Sequence, residues 1–213
     1  MKPILFNTKM VRAILDGRKT CTRRIIKPQP QSRLCYTFAG CNCGTWGYPS
    51  KTAHEILGDE YRYQKDITDE ELKRMWNPPY HTDDILYVRE TWKKAPNGYY
   101  YYEDWQKNDI ADITKWHPSI HMPKEAARIW LKVTDVRVER LQDMTDDDAE
   151  AEGCFDYTST ALGFPDVWDG TIKKSGIDRY GWDANPWVWV IEFERCEKPK
   201  REKNHSEIVG RRL

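Results

Sequence analysis

Apolar positions first recur with a helical period at Met10, Val11, Ile14 and Leu15, with Thr8 able to cap the segment and Gly17 just past its end. Cys21 to Ile26 then reads as a strand, stopped by Lys27-Pro28. Residues 29 to 66 carry no clear period, and Thr68-Asp69-Glu70-Glu71 is a capping box opening a helix to about Trp76. Ile85 to Trp92 and Tyr99 to Tyr102 read as two strands, with Pro96-Asn97-Gly98 supplying the residues of a tight turn between them. Ile129 to Leu141 is a long strand pattern, bent or bulged around Thr134-Asp135. Thr145 with Asp148 opens a short helix that Gly153 can end. Trp187 to Phe193 is apolar at nearly every position, as a central strand covered on both faces would be.

Strands and short helices without a βαβ rhythm predict an α+β fold around a small barrel. The expected organisation is one domain over residues 1–196, with irregular insertions at about 29–80 and 154–186 and a polar tail at 197–213. The hydrophobic share, 39%, is thin, but ten Trp, twelve Tyr and five Phe make up for it, because aromatic side chains bury the most area each. No apolar run approaches the length of a membrane span, and the N-terminal apolar stretch ends at Phe6. Six cysteines without a secretion signal are expected to be free thiols, in a cytoplasmic protein with no membrane partner.

Thirty-four basic and thirty-four acidic side chains cancel overall, yet they are unevenly placed. Residues 1–33 hold nine basic side chains against Asp16, a net of plus eight. Residues 135–156 hold nine acids against Arg137 and Arg140, a net of minus seven. This asymmetry describes either two solvated faces or a basic site closed by an acidic helix.

The basic segment Gly17-Arg18-Lys19-Thr20-Cys21-Thr22-Arg23-Arg24 joins a helix end to a strand. Like charges around Lys19 disfavour its ammonium form, which is how a lysine is prepared as a base, and Thr22 supplies a hydroxyl nearby. A solvated basic turn is the other reading of the same residues. Arg89-Glu90-Thr91-Trp92 forms a second constellation, in which Trp92 can stack on a base and Arg89 can pair with phosphate or with Glu90; a buried strand with an internal salt bridge is the alternative.

The run GRKTCTRR, the segment DDILYVRETW from Asp83 to Trp92, and VTDVRVERLQDMTDDDAEAEG from Val133 to Gly153 resemble the ASCH-domain family. With Pro118 to Pro123 and Asn185 to Glu194 they cover about half the chain, in an order closest to the longer ASCH-domain proteins of phages and prophages. The resemblance implies a PUA-like β-barrel with a cleft for nucleosides or RNA. It further implies an amidohydrolase that deacetylates N(4)-acetylcytidine through a Lys-Thr-Glu triad, whose pattern falls here on Lys19, Thr22 and Glu152. Arg23, Arg24, Arg89, Glu90, Trp92 and His121 are the expected substrate-binding residues. A non-catalytic RNA-binding module, or a nuclease acting on single-stranded RNA, are the alternatives.

No Gly-rich phosphate loop, HExxH or GxSxG is present, and no cofactor is expected. Cys35, Cys41 and Cys43 resemble a zinc set only loosely, because paired C-x-x-C knuckles are missing.

Overall fold

A computed structural model of the chain describes residues 1–29, 35–37, 45–47, 62–64, 73, 76–105, 115–154 and 160–199. Its strands are β1 (Lys2–Leu5), β2 (Cys21–Ile25), β3 (Cys35–Thr37), β4 (Thr45–Gly47), β5 (Arg62–Gln64), β6 (Ile85–Arg89), β7 (Trp92–Ala95), β8 (Gly98–Tyr101), β9 (Trp130–Arg140) and β10 (Trp187–Cys196). Its α-helices are α1 (Thr8–Leu15), α2 (Tyr102–Trp105), α3 (Asp146–Ala151), α4 (Thr160–Asp169) and α5 (Ile177–Tyr180). The fold is thus a mixture of sheets and short helices.

The main sheet has the order β1-β6-β9-β10-β2, with β1 parallel to β6 and the other pairs antiparallel. Period-2 alternation explains the apolar run from Trp187 to Ile191 in β10: Trp189, Ile191 and Phe193 enter one core cluster, while Val188 and Val190 enter a second on the opposite face. The expected bulge lies at Thr134, where the β9–β10 register slips between Glu192, opposite Asp135, and Phe193, opposite Val133. No backbone pairing joins the outer strands β1 and β2 among the described residues, so the ladder itself does not close a barrel. Arg24 on β2 nevertheless donates to the carbonyl of Leu5 on β1, so the two edges lie close together.

The structure revises several boundaries. Asn7, rather than Thr8, caps α1, accepting from the Met10 amide at 2.9 Å. The strand expected from Ile85 to Trp92 is two strands, because Glu90 and Thr91 leave the sheet and Trp92 pairs with Tyr101 in the separate β7–β8 hairpin. The first insertion contains the three-stranded sheet β4-β3-β5. The helix expected from Thr68 lies, apart from its end, outside the described residues. The second insertion is largely helical, holding α4, α5 and two 3₁₀ turns. In it Phe164, Val167, Trp168, Thr171 and Ile172 follow an i, i+3, i+4 rhythm that Gly163 and Pro165 disguise in the sequence. No helix among the described residues is long and apolar enough to cross a membrane.

Candidate active site

The site is built where an edge strand meets the C-terminus of a helix. After α1, Gly17 takes a left-handed φ of 76°, which reverses the chain without the penalty a Cβ would bring. The Arg18 and Lys19 amides then both donate to Ala13 O, at 2.8 and 3.0 Å. From the other side, Thr145 and Asp148 form the expected capping box of α3. Glu152 is the C-cap of that helix, and Gly153 follows at φ 91°. A Cβ on Gly153 would sit 3.0 Å from Ala13 Cβ and 3.5 Å from Lys19 Cβ, so glycine permits the close approach of the two segments. The Thr20 amide ties them together by donating to Ala151 O at 2.8 Å.

This approach brings Lys19 and Glu152 together. Lys19 Nζ donates to Glu152 Oε2 at 2.7 Å, to Glu152 O at 2.8 Å and to Cys21 O at 2.7 Å, which uses all three ammonium hydrogens. Glu152 Oε1 accepts the Arg23 amide at 2.6 Å, so the carboxylate fills a backbone donor that the edge strand β2 would otherwise leave open. Both side chains are buried, Lys19 at 4% and Glu152 at 6% exposure.

The oppositely charged segments therefore meet, and the expectation of a lysine crowded by cations alone is corrected. Arg18 pairs with Asp16 at 2.9 Å. Arg23 sits between Glu139 at 3.1 Å and Asp148 at 3.4 Å. Burial opposes the Arg23 charge, but Glu152, Asp148 and Glu139 outweigh it and hold the guanidinium above its ordinary range. Burial, reinforced by Glu152, pushes the Cys21 thiol up to about 12, so Cys21 stays protonated and is a poor nucleophile.

Lys19, Thr22, Arg23, Arg24 and Glu152 line one cavity of about 370 Å³. Thr22 Oγ1 accepts from Arg24 Nη1 at 2.7 Å, and no hydrogen bond joins Lys19 to Thr22 among the described residues. The opposite wall is apolar and comes from the second insertion, through Phe164, Val167, Trp168 and Ile172. Trp168 is fixed there by its indole N–H, which donates to Tyr180 O at 2.8 Å, and by a near-parallel stack on Phe164. Leu5, Phe6, Asn7 and Met10 complete the mouth. These two groups are absent from the sequence expectation; the rhythm from Phe164 to Ile172 is the signal that points to the first, and none points to the second.

The other expected binding residues lie elsewhere, and their placement in the same cleft is corrected. Glu90 is buried and receives Arg128 Nε and Nη2, each at 2.9 Å, so its partner is not Arg89. Arg89 Nη1 donates to Ile120 O at 3.1 Å. Trp92 belongs to a third core cluster with Tyr87, Met122 and Trp130, and its ring lies 5.1 Å from that of His117. His121 is exposed in a 3₁₀ turn, and none of these four lines the cavity. Cys35 lies on β3, and Cys41 and Cys43 fall outside the described residues. Cys21, Cys154 and Cys196 are free thiols.

Comparisons of the chain with family models, with curated proteins and with solved structures find no match.

Proposed function

We propose that the cavity hydrolyses the amide of an acylated nucleoside such as N(4)-acetylcytidine, with Lys19, Thr22 and Glu152 acting as one unit. The observation that carries this reading is the buried 2.7 Å contact between Lys19 Nζ and Glu152 Oε2 beside a cavity that Thr22 also lines. Across such a bond a proton can pass from the lysine to the carboxylate. The lysine amine then accepts the Thr22 hydroxyl proton as Oγ1 attacks the acyl carbon. Arg24, already 2.7 Å from Oγ1, stabilises negative charge developing at the reacting centre. Collapse expels the cytidine amine with a proton from the Lys19–Glu152 pair, and water hydrolyses the ester left on Thr22.

A volume of about 370 Å³ is within the range of small-molecule pockets and suits a single nucleoside rather than a polynucleotide track. The approach of the sheet edges at Arg24 and Leu5 supports reading the main sheet as a PUA-like barrel of the ASCH type. The test is incubation of the pure protein with N(4)-acetylcytidine, read by mass spectrometry for cytidine and acetate. Release of both by the parent and not by Glu152→Gln is expected; no release by the parent overturns the reading.

A further inference from the structure

Charge in the cavity does not balance. Lys19 and Glu152 neutralise each other, and Arg23 is held from behind by Glu139 and Asp148. Arg24 also lines the cavity, yet it has no carboxylate within salt-bridge distance among the described residues. Its hydrogen bonds are with uncharged oxygens: Nη1 donates to Thr22 Oγ1 at 2.7 Å and to Arg23 O at 2.9 Å, and Nη2 to Leu5 O at 3.3 Å, while the guanidinium carbon lies 5.5 Å from the Phe6 ring centroid. The Nε hydrogen and one Nη2 hydrogen are left without a partner among the described residues. Nε and Nη2 share one edge of the guanidinium, the edge with which arginine takes two oxygens of a phosphate or carboxylate. Burial pushes the Arg24 guanidinium down, the charge of Glu152 offsets this only in part, and a bound anion would favour the charged form further.

We infer that the ligand of this cavity is a phosphorylated nucleoside, its phosphate taken by Arg24. The inference rests on the nucleoside reading above and narrows it from free nucleosides to nucleotides. A phosphate held bidentately by an otherwise unpaired arginine explains why a cation remains in a cavity whose other charges are all paired.

Isothermal titration of the full-length protein with cytidine and with cytidine 5′-monophosphate tests it. The monophosphate is expected to bind about tenfold or more tightly than the nucleoside, the scale of a charge-assisted hydrogen bond. Arg24→Gln should bring the two affinities close together. Equal affinities in the parent, no binding of the monophosphate, or a preference that survives Arg24→Gln each overturn the inference. Should Arg24→Gln fail to fold, Arg24→Lys keeps the charge and loses the two-donor edge. An unchanged preference in that variant also overturns the inference, and a reduced one supports it. Absence of N(4)-acetylcytidine turnover alongside a retained monophosphate preference sinks the hydrolase reading alone, and intact turnover without the preference sinks the phosphate site alone.

Discussion

Glu90 and Glu152 are both buried carboxylates facing a cation, and they differ in what lies next to them. Glu90 is clasped by Arg128 through two parallel hydrogen bonds, and Arg128 in turn holds Asp104 at 2.7 and 2.9 Å and lies 4.0 Å over the Tyr101 ring. That fork gives each carboxylate oxygen a charged donor, and guanidinium does not release a proton in practice. The Glu90 pair is a clamp between the link from β6 to β7 and the segment that leads into β9. Glu152 instead takes Lys19 Nζ on Oε2 at 2.7 Å and the Arg23 amide on Oε1, with Arg23 Nη1 3.6 Å away, beside a cavity and a threonine hydroxyl. A lysine proton can move, and there is room for a substrate to receive it. Burial of a carboxylate is thus a poor guide to function; the identity of its cation and the space beside the pair discriminate.

The comparison breaks most visibly if the two glutamates are exchanged for glutamine. Glu152→Gln should lower N(4)-acetylcytidine turnover by about 10²–10⁴-fold, the usual contribution of a positioned acid–base group. Glu90→Gln should leave turnover per folded molecule unchanged. Equal losses in the two variants, measured beside circular dichroism of each, would show that Glu152 too acts only through the fold.

Trp92 sharpens the contrast from the hydrophobic side. It is packed in the Glu90 neighbourhood and not in the cavity, so Trp92→Ala should cost about 3–5 kcal/mol of stability in urea denaturation. Affinity for cytidine in the folded fraction should stay as in the parent, and a weakened affinity would place Trp92 within reach of the ligand. Arg128→Met should cost about 3 kcal/mol by leaving Glu90 buried without its charge partner. If that loss is absent, the pair is not the clamp described here.

Local signals were legible in the sequence where they rest on short-range chemistry. The α3 capping box, the bulge at Thr134 and the doubly covered β10 each follow from cap residues or period within one element. Lys19, Thr22 and Glu152 could be named in advance, although the contact between Lys19 and Glu152 spans 133 positions and depends on glycines 17 and 153. The Arg89–Trp92 constellation misled because a strand written as one continuous run splits at Glu90 and turns Trp92 into a hairpin. The apolar wall from α4 was obscured because glycine and proline interrupt a helical rhythm that tertiary packing nonetheless enforces.

The smallest expected effect concerns the opposite titration of two carboxylates. Burial pushes the Glu90 carboxyl up, and its hydrogen bonds and pairing with Arg128 only partly restore it. The folded state therefore holds that proton more tightly, and the contribution of Glu90 to stability falls as pH rises above the ordinary glutamate range. At Asp148 burial also pushes upward, but the hydrogen bonds from the Thr145 amide and hydroxyl, joined by the charge of Arg23, win and hold it below the ordinary range. Its contribution is complete above the unfolded value and is lost as pH falls through the folded one. Thr145→Val removes the hydroxyl that both caps α3 and binds Asp148, at a cost of about 1 kcal/mol near neutrality. Urea denaturation should show the gap between this variant and the parent narrowing below pH 4, because protonated Asp148 no longer benefits from the hydroxyl as an ion does. The gap between Glu90→Gln and the parent should move the other way, with the parent losing ground as pH rises. A Thr145→Val deficit that stays constant from pH 7 into acid would mean that the cap acts through the backbone alone and that Asp148 does not couple α3 to the charge of Arg23.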